Sequence, residues 1–329
     1  MSKANTIQCA FFAAVVSFSL FAKDRVIDDE CTQVELFGNT SIESSEIFSA
    51  LSFLDDAGCV SLLDQSELNR ECEFLKERFP EIGVIHCGHI VLGDYRTLEV
   101  SLLEYIEMIQ LQERIARHRP EERTAVELNE SLSPLYVQHR ELWFDAVRSG
   151  EEIGEYVKDN VLRYTLPELD EIATKLAEKV SPEREFLESV IQHSSLTNHR
   201  VAAAWLLPWA NPSSETINNT MGTILDESQL VRNNYGRFLH FFMETLEDLP
   251  TLEKLANLAF IQLSMPGHSD RNKAIHILLE LSSRNPLNCD HFAKKARRRQ
   301  LEDIADRSTI PNVGGVAKEI IQRIETRCE

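Results

Sequence analysis

With 329 residues, 43% of them hydrophobic, the chain is long enough for two folded units and too apolar to be disordered. A formal net charge of −19 argues against a general role on nucleic acid or on an anionic membrane surface, both polyanions that attract basic proteins. Proteins or small molecules are the partners this leaves.

In chain order, the first element reads as an export signal. Lys3 supplies a weakly positive start, Cys9 to Ala22 form an uncharged apolar run, and Lys23-Asp24-Arg25 end it. Cleavage after Ala22 is expected, with Ser19 the alternative because Leu20 is larger than the residue usually found at its position. The competing reading is an uncleaved anchor, since the charge-free span 4–22 has 19 residues, but Asn5, Thr6 and Gln8 make it a poor one. A periplasmic or secreted location follows from cleavage. Removal of 1–22 leaves Cys31, Cys59, Cys72, Cys87, Cys289 and Cys328, an even number that permits disulfides without choosing among roughly 15 connectivities. Cys72 falls in the stripe Leu68, Cys72, Leu75, Phe79 and reads as a small apolar side chain in a core.

Residues 31–105 form the first predicted unit. Val34 and Leu36 alternate with Glu35 in a strand, and Gly38-Asn39-Thr40 turns it. A helix capped by Ser44 or Ser45 presents Ile47, Phe48, Leu51 and Leu54; a second runs from about Ser66 to Phe79, stopped by Pro80. Two strands complete the unit, Ile82 to Leu92 and Thr97 to Glu104, the latter alternating Leu98, Val100 and Leu102 with Glu99 and Ser101. The order strand, helix, helix, strand, strand resembles a POTRA domain, with Val34-Glu35-Leu36-Phe37-Gly38-Asn39-Thr40-Ser41-Ile42 and Thr97-Leu98-Glu99-Val100-Ser101-Leu102-Leu103-Glu104 as the matching stretches. That resemblance implies contact with other polypeptides. The expected β-barrel of an assembly machine does not follow.

From Tyr105 onward no strand is predicted. Residues 106–165 read as a helical linker region and 166–329 as an all-α array, with prolines at or between the helix ends. Three segments share one pattern, beginning at Asn198-His199-Arg200, Leu230-Val231-Arg232 and Ser269-Asp270-Arg271. Behind the arginines come Ala203, Tyr235 or Ala274 at position +3 and Leu207, Leu239 or Leu278 at position +7. With arginines 32 and 39 residues apart, the stretch resembles HEAT-repeat proteins, in which helical hairpins stack into a solenoid. The framework residues this picks out are Arg200, Ala203, Leu207, Val231, Arg232, Leu239, Arg271, Ala274 and Leu278. The resemblance implies that the arginines tie neighbouring loops together.

Motifs for chemistry are sparse. The sequence has no GxSxG, HExxH, Walker loop or GxGxxG, so no catalytic residue, cofactor or enzymatic activity is expected. His86, Cys87 and His89 are close, but no further ligands at zinc-like spacing accompany them, and no metal is expected. Lys294-Lys295-Ala296-Arg297-Arg298-Arg299 reads as a solvated helix end, or as a surface for the first unit, whose 14 acidic residues face 4 basic ones.

The stretch Ile82 to Gly93 carries no formal charge inside that acidic unit, and no lysine or proline blunts it. In a POTRA arrangement this strand lies at the sheet edge. Strand addition by a partner protein is therefore expected at Val84, Ile85, Cys87, His89 and Ile90. The function expected is a non-enzymatic scaffold or protein-binding protein of the cell envelope, with an exported enzyme or enzyme regulatory subunit as the alternative.

Overall fold

The alternation of Val34 and Leu36 is realised in β1 (Gln33–Phe37), which is followed by α1 (Ser44–Ala50), α2 (Gln65–Arg78), β2 (Ile82–Leu92) and β3 (Tyr95–Glu104). The computed structural model describes residues 33–38, 41–52, 65–92, 95–118, 122–284, 289–292, 294–308 and 310–328. Expectations for 1–22, Cys31, Leu54 and Cys59 lie outside these residues. The element order is the predicted one, and β3 is the middle strand, parallel to β1 and antiparallel to β2. One detail differs: Glu43, not a serine, occupies the N-cap of α1, and no side chain caps it.

After α3 (Tyr105–Ala116) and α4 (Ser133–Ser149) comes a hairpin that the sequence reading missed, β4 (Glu155–Lys158) and β5 (Val161–Tyr164). Its connection is Asp159-Asn160, at φ 52° and 61°. Two consecutive left-handed residues give the turn twist that suits tight hairpins, and Asp and Asn tolerate that conformation better than most. The remaining helices are α5 (Pro167–Val180), α6 (Arg184–His193), α7 (Thr197–Leu206), α8 (Ser214–Thr220), α9 (Gln229–Phe242), α10 (Leu249–Gln262), α11 (His268–Ser283), α12 (Cys289–Phe292), α13 (Lys295–Arg307) and α14 (Val316–Cys328). Pro167 and Pro250 sit in the first turns of α5 and α10, where a missing N–H costs little. The segment from Cys289 to Arg307 holds two helices, α12 and α13.

By the contacts among the described residues the chain divides into two compact units, each discontinuous in sequence. Among described residues one unit gathers 122–223 and 237–246; the other gathers 33–118, 224–236 and 247–328. In the second unit one face of the sheet carries Leu36, Leu98, Val100 and Leu102, packed on Ile47 of α1 and Leu68, Cys72 and Leu75 of α2. The other face carries Glu35, Glu99 and Ser101, which alternation would place in water. They are instead 2%, 1% and 1% exposed, because α11 and the segment after α13 cover them.

Within the units, α6 packs on α7, α10 on α11, and α13 and α11 on α14. Arg200, Arg232 and Arg271 are each the fourth residue of their helix, so the sequence alignment matches structural register. Ala203, Leu207, Val231, Leu239, Ala274 and Leu278 are fully buried. Leu239→Ala should cost about 2–5 kcal/mol in urea unfolding, as truncated core leucines do. A change within about 0.5 kcal/mol, the range of surface substitutions, would place that stripe elsewhere.

Candidate functional site

The strand expected to receive a partner is an edge strand: β3 is its only strand neighbour among the described residues. Register sets which way its side chains go. Ile85 lies opposite Leu102 and Cys87 opposite Val100, so both share the apolar face. Cys87 is 5% exposed and disulfide-bonded to Cys72, while Ile85 packs against the same core. These two side chains therefore hold the strand to α2 and cannot supply outward selectivity, and Cys72 is a cross-link rather than a plain apolar residue. Val84 is half-buried on the other face. His89 and Ile90 pair with Leu98 and Thr97 through the backbone; their side chains lie outside the described ones.

His86 and Gly88 register with Ser101 and Glu99, on the charged face. There Arg271 Nη2 lies 2.6 Å from Glu99 Oε2 and donates to Ser101 Oγ at 2.8 Å, and its guanidinium sits 4.1 Å from the centre of the Phe37 ring. His268 Nδ1 is 3.7 Å from the same carboxylate oxygen. Burial alone would raise the Glu99 carboxyl; Arg271, with His268, His86 and the Ser101 hydroxyl, outweighs it and holds the group below the usual carboxylate range. Burial pushes His268 down to about 4, against the pull of Glu99 and with the repulsion of Arg271. Beside this, Glu35 accepts from the backbone N–H of Ile310 at 3.0 Å, and Arg232 makes a two-pronged pair with Asp270 at 2.6 and 2.7 Å.

Serine, histidine and glutamate thus meet, but not as a nucleophilic triad. The Ser101 hydroxyl donates to Glu99 at 2.9 Å rather than to His268, and it is buried. The cluster is a fully desolvated clamp between strand and helix. Among the described residues no group of three metal-ligating side chains converges.

The three aligned arginines divide by role. Arg200 donates to the Ser194 carbonyl at 2.9 Å and Arg232 to the Asp226 carbonyl at 2.7 Å, each six residues back in the segment before its own helix. Arg271 goes to the sheet instead.

In the first unit, Trp205 and Trp209 pack on His139, which has no exposed surface, and Trp143, the third tryptophan of the chain, packs on Trp205. Trp205 Nε1 donates to His139 Nδ1 at 3.1 Å, and Trp209 stacks edgewise on the same ring at 4.7 Å. Trp143 Nε1 donates to Glu155, which also binds Arg237, and Arg237 donates to the Tyr164 hydroxyl at 2.8 Å. Burial drives His139 well below its ordinary value and the Tyr164 hydroxyl upward. Sequence reading passed over these residues, although Trp205 and Trp209 flanking Pro208 mark an aromatic cluster. Their role is to pin the hairpin to the helices.

Compared with protein-family models, with curated proteins and with solved structures, the chain matches none.

Proposed function

We propose that this is an exported, non-enzymatic protein-binding protein of the cell envelope, periplasmic or secreted after cleavage following Ala22. On this reading the sheet is a POTRA-like module, the helices form a HEAT-like solenoid, and a partner adds an extended segment to β2. The observation that carries it is the β2 edge, eleven residues long and free of lysine and proline, with β3 alone as strand neighbour among the described residues. Two further observations support it. The Cys72–Cys87 link suits an oxidising compartment, and no helix among the described residues is long and apolar enough to cross a membrane.

The test is crosslinked capture from envelope extract by the wild type and by Ile90→Pro, which disturbs the edge. One stoichiometric polypeptide should be captured by the wild type and lost from the variant, with far-UV circular dichroism unchanged. Equal capture by a folded variant would remove β2 as the site. The intact mass of the protein from its host should correspond to a chain starting near Lys23; an unprocessed Met1 would reject cleavage.

A further inference from the structure

A cleft of about 810 Å³ opens in the second unit among α3, α10 and α13, within the size range of ligand pockets. Its floor is apolar, formed by Leu102, Leu111, Phe260, Ile261, Met265 and Ile304. Its rim is cationic, with Arg114 from α3 and Arg297 and Arg299 from the basic run of α13. Two of the arginine-rich run's residues therefore line a cavity instead of a solvated helix end, whereas Arg298 pairs with Glu302 and Glu325.

The acids nearby do not neutralise this rim. Asp303 pairs with Arg307 at 2.6 Å, and Arg271, at one end of the cleft, is taken by Glu99. Glu107 is the one other carboxylate of the lining. Arg297 is held by neutral groups: it donates to the His291 carbonyl at 2.7 Å and to Asn257, and lies 5.0 Å from the centre of the Phe260 ring. The Arg114 side chain has no hydrogen bond or ion pair to any described residue. Burial and then Arg117 push Arg114 down, and burial and then Arg114 push Arg297 down, so the two guanidiniums repel each other. His118 is likewise lowered by burial and then by Lys254, Arg117 and Arg114. In a chain of net charge −19, three arginines at one apolar cleft, none of them ion-paired with a carboxylate of the described residues, make a place where an anion is favoured.

We propose that the cleft binds a single-chain anionic amphiphile, its carboxylate or phosphate head between Arg114 and Arg297 and its aliphatic tail over the Phe260 and Leu111 floor. Guanidinium groups bind either head through paired N–H donors, and the apolar lining rewards a tail. The site is independent of the β2 edge.

Isothermal titration of the full-length protein with dodecanoate, dodecyl phosphate, dodecanol and inorganic phosphate, each below any micelle-forming concentration, tests this. At least one of dodecanoate and dodecyl phosphate should bind ten times or more tighter than dodecanol and inorganic phosphate; the tighter of the two names the head. Arg114→Glu should weaken that binding at least tenfold and leave dodecanol unchanged. Arg114 is exposed and its side chain makes no hydrogen bond or ion pair to a described residue, so the variant should fold; the exposed Arg299→Glu provides a second charge reversal with the same expected direction. Dodecanol binding as tightly as both anions, inorganic phosphate binding as tightly as the tailed anions, or full affinity in Arg114→Glu would each overturn the proposal.

Discussion

Replacing Arg271 with methionine should destabilise the protein by about 3–5 kcal/mol, the usual result of removing one partner from a buried ion pair. Glu99 is 1% exposed, and without the guanidinium it must be buried charged or take up a proton. The pair itself need not be worth so much, because desolvating two charges offsets much of their attraction. The double variant Glu99→Leu/Arg271→Met should therefore recover most of the loss. Urea unfolding followed by far-UV circular dichroism measures both. If Arg271→Met costs less than about 1 kcal/mol, the clamp between β3 and α11 is not formed in solution.

Acid should weaken the fold from about pH 6.5 downward, well above the range where carboxylates titrate. His268 is buried neutral with its pKa pushed to about 4, whereas in the unfolded chain it takes a proton near 6.5. The unfolded state then binds more protons between those values, so stability is fully present above about pH 6.5 and is lost as pH falls toward 4. His268 alone contributes about 3 kcal/mol over that window, and His139, lowered in the same direction, adds to it. Glu99 acts lower: its stabilisation is present above the ordinary carboxylate value of about 4.3 and disappears as pH drops through its depressed folded value. Urea midpoints between pH 8 and 4 should fall steadily below about 6.5, and His268→Gln should flatten the curve. A midpoint constant from pH 7 to 4.5 would show that His268 is not buried neutral.

Much of this fold was legible because its signals are local. Period-two alternation located β1 and β3, the uncharged stretch Ile82 to Leu92 matches the bounds of β2, and the arginine-to-leucine spacing placed Arg200, Arg232 and Arg271 at equal positions in three helices. The hairpin at Glu155–Tyr164 had a readable signal too, Asp159-Asn160 between Tyr156-Val157 and Val161-Leu162, but its strands are only four residues each. What stayed hidden is non-local. Nothing near Glu99 says that an arginine far along the chain will neutralise it, so alternation assigned it to water. Cys72 and Cys87 are apolar-stripe and strand residues when read singly, and only the packing of α2 on β2 brings them together. The cleft is hidden for the same reason, since Arg114 and Arg297 share no motif.

The charged face of the sheet has a different meaning during synthesis. Ser101 meets Arg271 across 170 positions and Glu35 meets Ile310 across 275, so a nascent chain holds these acids before their partners exist. At about 5–20 residues per second the wait for Ile310 is roughly 10–60 s. An apolar face left open for that time would invite association with other unfinished chains. Glu35, Glu99 and Ser101 are hydrated at no penalty while they wait. The same side chains thus give the emerging sheet a hydrophilic exterior and the completed protein an ion-paired interior.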